Sequence, residues 1–398
     1  MAKGFHSYDD AMTDVAFPRR KVRVEMYASS MPQDRALFRK YPVLAERLPW
    51  ISLGKFPTPV ERLQRLERAV ESHRDLWVKR DDLTGTIYGS NKVRKLEFLL
   101  GETLARKKQR IVLGGALGSN YVVASLLYAK RVGLQGTSVL FPQPLTPRAM
   151  RNFRSTLSLS DSVFFTPSAP LLPMGMALAA LQALERDGRF PDVSPLGGSS
   201  VLGTLGCVDG ILELREQIDR GEIPEPALIV AALGTCGTVA GLLVGAQLAQ
   251  LRSQIVAVRV VEAPVANAWR TRRLVRRTRA LLRRLGCPIS SRAYGAPSLA
   301  VAKEYLGKGY AYWTREGMDA VALMGESEGI KLEGTYTGKA LACVLRRARQ
   351  GRGEGPVLFW NTYSAVEPPH PLPEDELKKK PHLQRILSRC PEGSEGNG

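Results

Sequence analysis

Three stretches of this 398-residue chain place chemically capable side chains beside tight turns. The first is Lys79-Arg80-Asp81-Asp82, followed closely by Tyr88-Gly89-Ser90-Asn91-Lys92-Val93-Arg94-Lys95-Leu96-Glu97. Two small residues precede Lys92, where the chain must turn, and a helical pattern follows. A lysine enclosed at such a turn loses hydration, which lowers its pKa and frees the amine to attack an aldehyde. The second is Gly114-Gly115-Ala116-Leu117-Gly118-Ser119-Asn120-Tyr121, at the end of an apolar strand and the start of a helix. Backbone N–H groups at a helix start can hold a carboxylate, aided by hydroxyl and amide side chains. The third is Leu233-Gly234-Thr235-Cys236-Gly237-Thr238-Val239-Ala240-Gly241, again strand, loop, helix. Glycines allow close backbone approach to a phosphate, and threonines add donors. It lacks the Lys-Ser/Thr of a triphosphate-binding loop and is not a full G-x-G-x-x-G. Each stretch alone has a plain alternative: solvated lysines, a helix N-cap, a connecting loop.

In their order and spacing, the motifs resemble the fold type II pyridoxal-phosphate enzymes, above all the D-cysteine desulfhydrase and 1-aminocyclopropane-1-carboxylate deaminase group. The similarity runs from about Leu48 to Thr362. It also draws on Pro57-Thr58-Pro59-Val60-Glu61-Arg62-Leu63, Trp77-Val78-Lys79, Pro195-Leu196-Gly197-Gly198-Ser199, Leu202-Gly203-Thr204-Leu205-Gly206 and Tyr336-Thr337-Gly338-Lys339-Ala340. The resemblance implies a tryptophan synthase β-like architecture of two α/β domains, with pyridoxal 5'-phosphate in the cleft between them. Lys92 would form a Schiff base with the cofactor and move protons at the substrate α-carbon. Ser119 and Asn120 would hold the substrate carboxylate, with Asn120 also near the cofactor ring oxygen and Tyr121 lining the substrate. Gly234, Thr235, Cys236, Gly237 and Thr238 would bind the phosphate. Tyr294 and Tyr336 match two active-site tyrosines.

Thr337 would face the pyridine nitrogen, where a neutral hydroxyl weakens the ring as an electron sink. The deaminases carry Glu at the Thr337 position and Leu near Thr362; the desulfhydrases carry Thr at both. Thr337 and Thr362 therefore point to α,β-elimination from a D-amino acid, giving pyruvate, ammonia and sulfide. Another amino-acid deaminase or racemase, and a degenerate ligand- or anion-binding relative without turnover, are the alternatives. The chain departs from the family at Ser90, Gly118, Tyr121, Cys236 and Tyr363, several of them on the substrate side.

The elements that must position these residues follow from the apolar pattern. Short strands are expected at Ile111 to Gly114, Thr137 to Phe141, Ser162 to Thr166, Leu228 to Ala232, Ile255 to Val261 and Val357 to Trp360. Helices are expected at Tyr121 to Lys130, Leu172 to Leu184, Leu205 to Ile218 and Thr238 to Leu251. Such alternation predicts parallel-rich sheets flanked by helices. The expected organisation is an N-terminal extension at 1–45, a large cofactor domain from 46–94 and 197–368, a small inserted α/β domain at 95–196, and a flexible tail at 369–398.

Composition narrows the rest. Five widely spaced cysteines argue against a disulfide framework and fit a reducing cytoplasm. Four histidines, none near Cys, Asp or Glu at ligand spacing, argue against zinc. No long apolar run predicts a membrane span. The net charge of +19 favours anionic ligands. Much of it falls in Trp269 to Gly286, where Leu274, Thr278, Leu281 and Leu285 mark one helical face. A surface helix packed on the sheet is the expectation for the basic 270–284 segment, rather than a nucleic-acid site. A homodimer acting on a small amino acid is the expected assembly.

Overall fold

The computed structural model describes residues 31–289, 297–350, 355–369 and 371–391. Ten strands form two sheets. The larger is ordered β1 (Val60–Arg62), β2 (Leu76–Lys79), β10 (Val357–Trp360), β7 (Leu228–Leu233), β8 (Gln254–Arg259), β9 (Leu299–Ala302). The smaller is ordered β5 (Ser162–Phe165), β4 (Gln135–Phe141), β3 (Arg110–Ala116), β6 (Asp192–Val193). All pairings are parallel except β1 with β2. The apolar runs Ile111 to Leu113, Ile229 to Leu233 and Val357 to Trp360 are buried throughout, as strands covered on both faces require. The class is therefore α/β with parallel-rich sheets and flanking helices, as expected.

Close helix packing under the large sheet explains two glycines. A Cβ at Gly241 would lie 2.4 Å from Cys207 Cβ, and one at Gly245 would lie 2.6 Å from Ile211 Cβ. The helix Gly237–Leu248 can therefore press directly against Val201–Asp219. β3, β7 and β10 are each followed in the chain by a stretch the sequence marks as chemical. Ligand sites in parallel sheets sit at these carboxyl ends because the adjoining loops and helix starts converge on one crevice.

Four expectations change. The strand expected to reach Val261 ends at Arg259, and β1, β2, β6 and β9 are additional, too short to show a pattern. The basic segment is the helix Ala268–Arg284, but it packs on the helices Gly237–Leu248 and Val201–Asp219 rather than on the sheet. The N-terminal stretch expected to be peripheral up to residue 45 is structured from residue 31: Leu37, Phe38 and Leu44 are buried, and Arg35 pairs with Glu97 at 2.5 Å. The tail expected to be flexible forms the helices Glu374–Lys378 and Pro381–Leu387, with Leu377 and Leu383 in the main core. Its prolines interrupt any periodicity, so its few apolar contacts were hidden. Among the described residues, no helix is long and apolar enough to cross a membrane.

Candidate active site

Lys92 lies in the first turn of the helix Asn91–Ala105, and the turn before it is unusually constrained. Ser90 adopts φ 104° and ψ 161°, a region that is essentially glycine-only. At Gly89 a Cβ would fall 2.0 Å from the Asp82 carbonyl oxygen. The turn is pinned by Ser90 N–H donating to Asp81 O at 2.9 Å and by Thr84 Oγ1 donating to Ser90 O at 2.9 Å. Ser90 Oγ in turn accepts from Lys92 N–H at 3.3 Å. Lys79-Arg80-Asp81-Asp82 thus holds the lysine turn rather than contributing a reactive group.

Below that turn lies a buried ionic network. Arg94 donates to Asp81 Oδ1 at 2.8 Å and to Glu213 Oε1 at 3.0 Å. Lys79 Nζ donates to Glu213 Oε1 and Gln217 Oε1, both at 2.5 Å. Trp360 Nε1 closes the network on Asp81 Oδ2 at 2.7 Å. Burial raises the Glu213 carboxyl, but Arg94 and Lys79 outweigh it and hold the group well below the usual carboxylate range.

The Lys92 side chain is partly buried, and its Nζ lies 5.7 Å from the Tyr336 ring centroid. Burial, with the like charge of Lys95, pushes its ammonium down to about 7, against the opposing pull of Glu333. A substantial neutral fraction therefore exists near neutral pH. Tyr336 also faces the third segment: a Cβ at Gly234 would stand 3.5 Å from Tyr336 Cε1. Its hydroxyl donates to Tyr310 Oη at 3.0 Å. Burial raises both phenols, Tyr310 to about 12, so both stay protonated.

The Gly234–Thr238 loop opens a small cavity at the start of the helix Gly237–Leu248. Cys236 sits there at φ 71°, the left-handed conformation glycine adopts most cheaply. Its Sγ points back to Val265 O at 3.4 Å, so it is a packing group. Neighbouring segments brace the loop. Ser199 Oγ hydrogen-bonds Thr235 Oγ1 at 2.7 Å and accepts from Gly237 N–H at 3.1 Å. Asn91 Nδ2, beside Lys92, donates to Thr238 Oγ1 at 2.8 Å. Lys95 is buried next to the loop and donates to Gly197 O at 3.1 Å.

Ser119 caps the helix Asn120–Arg131, accepting from Val122 N–H at 3.3 Å. The first-turn N–H groups of Asn120 and Tyr121 have no intrahelical acceptor, as at any helix start. Asn120 Oδ1 accepts from Tyr88 Oη at 3.1 Å and from Asn152 Nδ2 at 2.8 Å. Tyr88 lies four residues before Lys92, so this bond ties the second segment to the first. The Tyr121 side chain does not turn to the substrate side: it packs on Gly198 and shares a hydrogen bond with Ser194 Oγ. Thr362, just past β10, is buried beside Tyr363, whose ring lies 4.0 Å from the Arg148 guanidinium. Thr337 begins the helix Thr337–Arg349 and its Oγ1 accepts from Glu333 N–H at 3.0 Å.

The three segments are therefore joined by direct contacts: Tyr88 to Asn120, Asn91 to Thr238, and the Tyr336 ring facing both Lys92 and Gly234. Tyr294 lies outside the described residues. Sequence reasoning missed Tyr88, Lys95, Arg148, Tyr310 and Glu333. Arg148 and Asn152 carried a usable signal, four residues apart after the Thr146-Pro147 helix start. A wider groove runs along Thr137, Ser162, Phe164 and Ala179, by the amino ends of β4 and β5, and holds none of these groups.

Comparison with known proteins agrees with this geometry. A protein of Pyrococcus abyssi (strain GE5 / Orsay), provisionally named 1-aminocyclopropane-1-carboxylate deaminase, is 31% identical over 323 residues, covering 81% of this chain and 94% of that protein. The crystal structure of an ACC deaminase homologue superposes with a TM-score of 0.69 at 28% identity, over 88% of this chain and 98% of its own. A fungal L-serine ammonia-lyase from Rhizomucor miehei shares the fold, with a TM-score of 0.54 at 18% identity, over 83% of this chain and 99% of its own. Residues 51–362 match the family described as pyridoxal-phosphate dependent enzyme, so the chain that gathers Lys92, the Gly234–Thr238 loop and Ser119-Asn120 into one cleft belongs to that family.

Proposed function

We propose that this protein is a pyridoxal-phosphate-dependent lyase that removes the amino group and a β-substituent from a small amino acid, on the desulfhydrase side of its group. The carrying observation is the Lys92 amine, lowered to about 7, set between a loop fit for phosphate and a helix start fit for carboxylate. The residues present fit the cofactor. Gly234 faces the Tyr336 ring without a side chain between them, the Thr235 to Thr238 stretch offers hydroxyls and helix-start N–H groups, and Lys95 adds a buried cation nearby. When bound, the cofactor supplies an aldehyde carbon and an electron sink.

This chain's own residues supply the remainder. Lys92 Nζ, neutral in part near pH 7, would hold the cofactor through its aldehyde carbon with loss of water, and, once freed by the substrate amine, would carry protons to and from the substrate α-carbon. Asn120 and Tyr121 N–H, with Ser119 Oγ, hold the substrate carboxylate. Tyr336 and Tyr310 keep a shared, protonated hydroxyl pair beside Lys92, able to donate to a departing group.

Support for elimination over ring opening comes from the Thr337 environment. The nearby Glu333 carboxylate is occupied by Thr335, Tyr336 and Thr337 N–H at 2.8, 2.7 and 2.9 Å. It caps the helix start, and the Thr337 hydroxyl, which itself bonds back to Glu333 O at 3.3 Å, is a neutral group rather than a carboxylate at the position read as facing a pyridine nitrogen. Purified holoenzyme given D-cysteine, L-cysteine and 1-aminocyclopropane-1-carboxylate tests this. Pyruvate and sulfide from D-cysteine are expected; ammonia from the cyclopropane substrate alone refutes the desulfhydrase reading.

A further inference from the structure

The cation beside Asn120 is not needed to capture an α-carboxylate, because helix-start N–H groups already provide for one. Arg148, on the helix Pro147–Leu159, nevertheless reaches this point. Its Nε and Nη2 donate to Asn120 Oδ1 at 3.3 and 3.2 Å, and Nη2 donates to Tyr88 Oη at 3.3 Å. These acceptors are neutral and the bonds are long for a guanidinium, which makes shorter, stronger bonds to anions. Its side chain keeps 16% exposure.

The surrounding charge does not balance. The adjacent carboxylate, Glu367 Oε2, lies 3.8 Å from Arg148 Nη1 and pairs more closely with Arg151 Nη1 at 2.7 Å. Two guanidiniums share one carboxylate, and that carboxylate is 44% exposed. This group of three side chains carries one net positive charge. The Tyr363 ring, 4.0 Å from the guanidinium carbon, holds its plane in place.

We propose that Arg148, held by Tyr363, recognises a second acidic group on the substrate, so that the enzyme prefers small amino acids with an anionic side chain to neutral ones of similar size. The inference rests on the reading of Lys92 and Ser119-Asn120 as the cofactor and carboxylate sites. Matched ligand pairs separate the two. Holoenzyme is titrated with O-phosphoserine against serine, and aspartate against alanine, both enantiomers of each, following the visible absorbance of the bound cofactor.

The acidic member of each pair is expected to bind about tenfold tighter or better. In Arg148→Met that gap closes, and in Arg148→Lys part of it returns. Equal affinity within each pair in the wild type overturns the proposal without recourse to any variant. Equal loss for acidic and neutral ligands in Arg148→Met overturns it too, because Arg148 then serves the α-carboxylate or the fold. Protein that takes up no cofactor signals failure of the underlying site reading instead.

Discussion

An amine that titrates near 7 differs from a surface lysine across the physiological range. Lys92 reaches that value because burial and Lys95 disfavour its charge more than Glu333 favours it. Below about 7 the reactive neutral fraction grows about tenfold per pH unit, and above it the fraction is nearly constant. The rate of pyridoxal phosphate uptake by cofactor-free protein should therefore rise steeply from about pH 5 and level off above about pH 8. An ordinary lysine gives a rate that keeps climbing to about pH 10, and such a profile in stopped-flow absorbance would count against the site described. Lys92, Ser119, Asn120 and the Gly234–Thr238 loop were legible in the sequence because each sits in a short strand-turn-helix or turn-helix signature. Arg148, whose only signal was its spacing to Asn152 after a helix start, and Tyr310 and Glu333 were not picked out. Their importance comes from contacts with Asn120, Tyr336 and the Thr337 helix start, made across the fold or by a loop carboxylate with no motif around it.

At the scale of elements, two of the six non-glycine residues with positive φ among the described residues, Ser90 and Cys236, sit in the segments that carry the candidate site. Ser90 carries the strain immediately before the Lys92 helix, and Cys236 carries it immediately before the loop helix. Relief of a strained φ outweighs the weak Ser90 Oγ bond to Lys92 N–H at 3.3 Å. Ser90→Gly is expected to raise stability by about 1 kcal/mol in denaturant unfolding of cofactor-free protein. A loss of stability would show that the hydroxyl cap matters more than the backbone. The central strands and the helices Asn120–Arg131, Leu172–Asp187, Val201–Asp219 and Gly237–Leu248 were read from the sequence to within a few residues, whereas Pro147–Leu159, Arg315–Glu328 and Thr337–Arg349 were not. β6, with two residues, and β9, with four, are set by pairing with their neighbours, which no local pattern reveals.

At the scale of the whole molecule, the cleft rests on the buried network around Arg94. That side chain joins the lysine-bearing helix to the turn after β2 and to the helix Val201–Asp219, while Trp360 adds the end of β10. Removing it leaves Asp81 and Glu213 buried with less compensation. Arg94→Met should cost about 3–5 kcal/mol, measured by denaturant unfolding; a cost under about 1 kcal/mol would mean the network is dispensable. The packing of residues 31–45 and 371–391 onto the core was the least legible part, because scattered residues such as Leu37 and Leu383 become informative only once the core they touch exists. The central claim is that this convergence selects the partly buried Lys92 over the fully buried lysines Lys79, Lys95 and Lys339. Borohydride reduction of the holoenzyme, followed by peptide mass spectrometry, tests it most directly. The cofactor mass is predicted on the peptide bearing Lys92, at that residue; the mass on Lys95 or any other lysine would contradict the account.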